Sequence, residues 1–163
     1  MKPDIIATTG WTTTNLLSAL KDRKDLGNGY DIVTLLIGVN NQYQGGTLSD
    51  YRNGFRTLLE KSISYAKNIA SHVIVLSIPD YSGTPFVNDR TDKNLISDRI
   101  DSFNLINKEI AEKYGVNYLN ITNESRKAFT DNTLLAPDGL HYSAKEYAIW
   151  SALLAPMIIK AIN

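Results

Sequence analysis

The chain has 163 residues, with 17 Lys and Arg against 17 Asp and Glu, two His and no Cys. That length builds one domain with a real hydrophobic core, and balanced charge without basic or acidic blocks gives no sign of a nucleic-acid partner. The missing Cys excludes a disulfide framework, a thiolate zinc site and a Cys nucleophile, and no apolar run is long enough to span a bilayer. Met1 to Asp4 runs into a strand-like segment without the apolar centre of a signal peptide. That leaves the compartment open, cytoplasmic or secreted.

In chain order, the β-branched run Ile5–Thr8 predicts a short strand that meets a turn at Thr9-Gly10. Thr12 or Thr13 then caps a helix carrying Leu16, Leu17 and Leu20 on one face. Gly27 to Gly29 is a loop. The nearly continuous apolar run from Tyr30 to Ile37 predicts a central parallel strand buried on both faces. Gly38 to Gly46 reads as a polar, glycine-rich loop. A helix is expected from about Leu48 to Ser71, with Tyr51, Phe55, Leu58, Leu59, Ile63, Ala66 and Ile69 inward.

His72 to Ser77 predicts the next buried strand, and Ile78 to Asn94, with Pro79 and Pro85, an irregular crossing of the kind that borders a site. Leu95 to Tyr114 is a second long helix, and Val116 to Asn120 the last strand. Ser125 to Phe129 fits one or two helical turns. The apolar run from Tyr147 to Ile159 predicts a buried final helix, with Ser143 and Glu146 as its capping box. Strands alternating with helices imply a parallel sheet with helices on both faces. There are no repeats or linkers, so residues 1–163 form a single domain.

Asp138-Gly139-Leu140-His141 precedes that final helix. Histidine titrates near neutrality and suits a general base, and an acid three residues earlier can orient its ring. The plainer reading is a surface Asp-Gly turn followed by an incidental His. In parallel sheets the ligand sits beyond the carboxyl ends of the strands. Gly10, Asn40 and His141 all fall there. A backbone N–H at Gly10 and a side-chain amide at Asn40 would make the skeleton of an oxyanion hole for acyl transfer. Equally, Asn40-Asn41 fits a turn and Gly10 a strand end. His72 reads as structural. Nothing has metal-ligand spacing, and no phosphate-binding glycine loop precedes a helix, so neither metal nor cofactor is expected. Trp11, Tyr43, Tyr81 and Phe86 fit either the wall of an acyl pocket or ordinary packing.

These blocks resemble the SGNH hydrolases, the GDSL-like lipase/acylhydrolase family of ester hydrolases. Thr9-Gly10-Trp11-Thr12-Thr13 matches the block whose glycine N–H helps bind the oxyanion. Gly38-Val39-Asn40-Asn41 matches G-x-N-D, with Asn41 in place of the acid. Asp138-Gly139-Leu140-His141 matches D-x-x-H. The resemblance covers the chain from about Ile5 to the last helix. It implies a flavodoxin-like sheet, an ester substrate, no cofactor, His141 as base, Asp138 as its orienter, and Gly10 and Asn40 as oxyanion donors.

The family's nucleophile block is missing. There is no Gly-Asp-Ser and no G-x-S-x-G elbow. Ser77 ends a strand, Ser82 lies in a loop, Ser143 reads as a cap, and none matches a family nucleophile position. The resemblance therefore implies a domain without its first, central strand, incomplete at the N-terminus. Its gap would lie between Ile5–Thr8 and Ile32–Ile37. The expectation is an ester hydrolase whose serine lies upstream of Met1, inactive as 163 residues, and oligomeric if another chain fills the gap. The alternative is a non-catalytic remnant that binds or supports.

Overall fold

The computed structural model describes residues 3–87 and 91–163. Its centre is a three-stranded parallel sheet in the order β1-β2-β3, formed by Val33–Leu35, Val73–Leu76 and Asn117–Leu119. Val33 lies opposite Val73, and Ile74 opposite Asn117. All four β2 residues are buried. Val73 and Val75 enter one apolar core, and Ile74 and Leu76 enter a second. Alternating side chains thus bury both faces of the run, as the parallel-sheet reading requires.

The first core is closed by α3 (Leu48–Tyr65) and α4 (Lys93–Lys113), with α1 (Thr13–Asp22) against α3. Each start is capped by a side chain: Thr12 accepts from the Asn15 N–H, Thr47 from Asp50 and Asp92 from Leu95. Helix α3 buries Tyr51, Phe55, Leu58, Leu59 and Ser62, three or four residues apart. It stops at Tyr65 rather than Ser71, because Lys67 and Asn68 take φ of 58° and 60°, a left-handed pair that no α-helix continues through. A 3₁₀ turn, Ala70–His72, follows, so His72 ends a turn instead of opening the strand.

The second core lies under α6 (Ala144–Ile162) and the short elements after β3. These are α5 (Thr122–Ser125) and 3₁₀ turns at Arg126–Phe129 and Asn132–Leu134. The predicted Gly38–Gly46 loop contains a further short helix, α2 (Val39–Tyr43).

Further local expectations fail for physical reasons. The run Tyr30–Ile37, expected as a central strand buried on both faces, is a strand only over Val33–Leu35, at the edge of the sheet with Thr34 exposed, because its outer side has no strand partner among the described residues. Ile5–Thr8 forms no strand, because a strand needs a ladder partner and the outer edge of β1 is unpaired in the sheet. The capping box does not form. Ser143 Oγ donates to the Thr133 carbonyl at 2.8 Å, while Glu146 turns into the core and accepts from Trp150 Nε1 at 2.6 Å. Helix α6 is not buried all round either: only Glu146 and Trp150 are, and Leu153, Ile159 and Ile162 are exposed. No helix among the described residues is long and apolar enough to cross a membrane.

Candidate active site

The Asp138–His141 turn is held from several sides. The Ala136 N–H donates to the His141 carbonyl at 2.7 Å, and the Phe86 N–H to the Gly139 carbonyl at 3.1 Å. Gly139 takes φ of 68°, a left-handed position that glycine occupies without strain. The Tyr142 hydroxyl donates to the Asp80 carbonyl at 2.6 Å. Asp80 itself is fully buried and paired with Arg126 at 2.9 Å. Burial alone would raise its carboxyl, but hydrogen bonds from Ser97, Ser82 and Arg126 hold it below the ordinary range.

Within the turn, His141 Nδ1 lies 2.6 Å from Asp138 Oδ2. Asp138 Oδ1 accepts from the Leu140 N–H at 3.0 Å and the His141 N–H at 2.9 Å. Those backbone donors, Leu140 first, together with the imidazole, pull the Asp138 carboxyl down to about 2. An ionised Asp138 fixes the tautomer with the proton on Nδ1, which leaves the Nε2 lone pair as the basic site. The His141 side chain is 60% exposed. Among the described residues no group is hydrogen-bonded to Nε2.

Gly10 and Asn40 meet through a clamp of four side-chain hydrogen bonds. Asn40 Nδ2 donates to the Trp11 carbonyl at 3.2 Å, and Gln44 Nε2 to the Gly10 carbonyl at 3.2 Å. Asn41 Oδ1 accepts from the Thr13 N–H, and Asn41 Nδ2 donates to Thr13 Oγ1, both at 2.9 Å. The clamp uses one Asn40 amide hydrogen. The Gly10 N–H has no partner among the described residues. Asn41, the departure from the family's acid, therefore keeps a two-bond tie to the glycine block.

Gly38 sets the start of α2. Its φ is 132°, and a Cβ there would lie 2.5 Å from Tyr51 Oη and 2.6 Å from Ile78 Cδ1. Only glycine lets the chain turn from β1 into α2 this close to the core. Tyr51 Oη lies 2.9 Å from the Ile37 carbonyl and 2.6 Å from Asn107 Oδ1, which ties that turn to α4.

Aromatic side chains connect the two halves of the site. The Tyr43 ring, at the end of α2, lies 6.1 Å from Tyr81 and 6.3 Å from Phe86 between centroids. Tyr81 Oη donates to Gln42 Oε1 at 2.8 Å. Phe86, through its N–H, holds Gly139. A chain of contacts thus runs from α2, which carries Asn40, through Tyr43 and Phe86 to Gly139 in the turn that carries His141. Trp11 packs half-buried against the first core. Gln42, Gln44 and Tyr142 escape sequence reading, because each acts across dozens of residues with no local motif.

Among the described residues, the serines weighed as nucleophiles, Ser77, Ser82 and Ser143, are all engaged elsewhere. Ser77 is fully buried, and its Oγ accepts from the Ile121 and Thr122 N–H groups at 2.8 and 3.0 Å. Ser82 is buried beside Asp80, and Ser143 is spent on Thr133. The buried His72 Nδ1 has no hydrogen-bond partner among the described residues. Among the described residues no cluster of three His, Cys, Asp or Glu forms a metal site.

No curated protein matches the chain. Solved structures do match its fold. The lipase/acylhydrolase from Enterococcus faecalis is 20% identical with a TM-score of 0.67, over 91% of this chain and 71% of that one. LAE5, an alpha/beta hydrolase enzyme from the metagenome of Lake Arreo, is 16% identical with a TM-score of 0.68, over 94% and 70%. Axe2, an acetylxylan esterase from Geobacillus stearothermophilus, is 18% identical with a TM-score of 0.68, over 91% and 68%. The model of the GDSL-like lipase/acylhydrolase family matches residues 2–149. With that match over most of its length, and with a parallel α/β sheet shared with SGNH hydrolases, the chain belongs to the GDSL-like lipase/acylhydrolase family.

Proposed function

We propose that this domain supplies the base and the oxyanion site for hydrolysis of a carboxylic ester, and receives its nucleophilic serine from polypeptide outside these 163 residues. The observation that carries the reading is the 2.6 Å contact between Asp138 Oδ2 and His141 Nδ1, with Nε2 left open. In acylation, Nε2 takes the serine proton as Oγ attacks the ester carbonyl. The tetrahedral oxyanion is met by the Gly10 N–H and the second hydrogen of the Asn40 amide. The imidazolium, stabilised by Asp138, then returns the proton to the departing alkoxide. Water, activated by the same nitrogen, releases the acid. The exposed rings of Tyr43 and Phe86 flank the site and suit an ester with a small acyl group on a bulky alcohol, as the name of the Geobacillus esterase also suggests.

The test is aryl-acetate hydrolysis by the chain extended at its N-terminus with a serine-bearing strand and helix. Turnover is expected in the extended protein and absent from the 163-residue chain. Turnover that survives His141→Ala unchanged refutes the mechanism.

A further inference from the structure

Asp80 stands just beyond β2, fully buried, with every polar atom engaged. Its N–H donates to Ser125 Oγ at 2.9 Å, and its Oδ1 accepts from the Ser82 N–H at 2.8 Å. Oδ2 accepts from Ser97 Oγ at 2.7 Å and from Arg126 Nε at 2.9 Å. Ser97 belongs to α4, Ser125 ends α5, and Arg126 opens the 3₁₀ turn after it. Arg126 is fixed in turn, because its Nη2 donates to Ser97 Oγ at 3.0 Å and to Asp101 Oδ1 at 2.7 Å. The Asp80 carboxylate is thus anchored to the helical frame.

The main chain that follows carries the site. The Asp80 carbonyl accepts from Tyr142 Oη at 2.6 Å, and Tyr142 is the neighbour of His141. Tyr81 Oη donates to Gln42 Oε1 at 2.8 Å, and Gln42 lies in α2 with Asn40. The loop is then closed on itself, with the Thr84 N–H donating to the Tyr81 carbonyl at 3.0 Å. The base turn and α2 therefore hang on one short segment whose origin is Asp80. Stability alone does not account for this group, because an apolar pair of similar volume is often as stable as a buried ion pair or more so. A buried charge saturated by directional bonds does what an apolar pair cannot: it holds the main chain in one place.

We infer that Asp80 is a positioning residue for both halves of the candidate site, setting the base turn through Tyr142 and α2 through Tyr81. When its carboxylate loses its anchors, His141 and Asn40 lose their places together, although Asp80 is bonded to neither. That the two placed groups are a base and an oxyanion donor rests on the ester-hydrolase reading. That Asp80 places them does not.

The experiment labels the 163-residue chain with nitrogen-15 and reads two signals by NMR. One is the tautomer of the neutral His141 ring, which the Asp138 contact holds with its proton on Nδ1; the other is the Asn40 side-chain amide. Asp80→Asn keeps the shape but turns one acceptor into a donor, which then faces Arg126 Nε or the Ser82 N–H. It is expected to give a mixture of His141 tautomers and to shift and broaden the Asn40 amide. Tyr142→Phe is expected to move the tautomer alone, and Tyr81→Phe the amide alone. Ile110→Ala, a core truncation in the last turn of α4, lowers stability and is expected to move neither. A folded Asp80→Asn with both signals in place overturns the proposal, as does Ile110→Ala moving them equally far. If Asp80→Asn does not fold, the tyrosine variants decide, and unchanged signals in both overturn it. In the serine-extended protein, Tyr142→Phe is expected to lower kcat about tenfold with KM little changed. Selective movement of the two signals with no turnover in any extended protein leaves the positioning role standing and counts against the hydrolase reading alone.

Discussion

Gly38→Ala tests how the fold holds the candidate oxyanion site. The new methyl would meet Tyr51 Oη at 2.5 Å and Ile78 Cδ1 at 2.6 Å, and both residues are fully buried. Neither can swing away, so the cost of overpacking is about 1–3 kcal/mol. A φ of 132° adds backbone strain of roughly 1–3 kcal/mol for a residue with a Cβ. The sum, about 4 kcal/mol, is a large share of a net stability of roughly 5–15 kcal/mol. Gly45→Ala is the control. Its φ is 76° with nothing within 4 Å of the added Cβ, so it carries only the backbone part, about 1–2 kcal/mol. Urea unfolding followed by circular dichroism should place Gly38→Ala at least about 2 kcal/mol below Gly45→Ala. If Gly38→Ala relaxes by moving α2, the side-chain amide signals of Asn40 and Asn41 should shift as well. A Gly38→Ala protein as stable as Gly45→Ala, with both amide signals in place, would falsify the close-approach argument.

In the serine-extended protein, Asn40→Ala should lower kcat by about 10²–10³, the usual range for one oxyanion donor, with KM little changed. Arg126→Met leaves the buried Asp80 carboxylate with only its Ser97 and Ser82 partners and should cost about 3 kcal/mol in urea unfolding. Because Tyr142 hangs on the Asp80 carbonyl, the His141 ring signals should broaden in the same variant. Glu146 is fully buried, with Oε2 unpaired, and burial raises its carboxyl above the ordinary range. A carboxyl raised on folding favours the folded state while protonated. Stability should therefore fall as pH rises from the ordinary carboxylate range through the folded value, and Glu146→Gln should flatten that slope.

The helices and the buried strand β2 were legible because their apolar periods are local, whereas the equally apolar run from Tyr30 to Ile37 forms only the short edge strand Val33–Leu35. Tyr51, Phe55, Leu58 and Leu59 repeat at 3.6, and Val73 to Leu76 run without a break. The Asp138–His141 pair was legible because its partners lie three residues apart. What stayed hidden was long-range. The clamp between Gly10–Thr13 and Asn40–Gln44 joins segments some thirty residues apart, and nothing in either announces Gln44. Ile5–Thr8 has the composition of a strand and lacks only a partner, which no local pattern reports. The Ser143–Glu146 spacing fits a capping box, yet Trp150 sits four residues beyond Glu146, and its indole N–H captures the carboxylate. Two local motifs competed for one side chain, and burial beside the second core chose the winner.

Asn41 shows how a departure from a family pattern can keep its structural effect. An aspartate there would accept from both the Thr13 N–H and the Thr13 hydroxyl. The asparagine accepts from the N–H and donates to the hydroxyl, so both bonds persist with one reversed. Thr13 is buried, so its N–H depends on this partner. Asn41→Ala should strand that donor and cost about 1–3 kcal/mol. Asn41→Asp should keep both bonds and change stability by less than about 1 kcal/mol. Charge assistance to the Thr13 N–H should make it the more stable of the two above the carboxylate range and erode that margin as pH falls through it. Urea unfolding of the three proteins at pH 7 and pH 3 reads both effects. Equal costs for Asn41→Ala and Asn41→Asp at pH 7 would mean that the Thr13 tie does not hold α2 in place. The proximity of Asn40 to Gly10 would then rest on the Trp11 and Gln44 bonds alone.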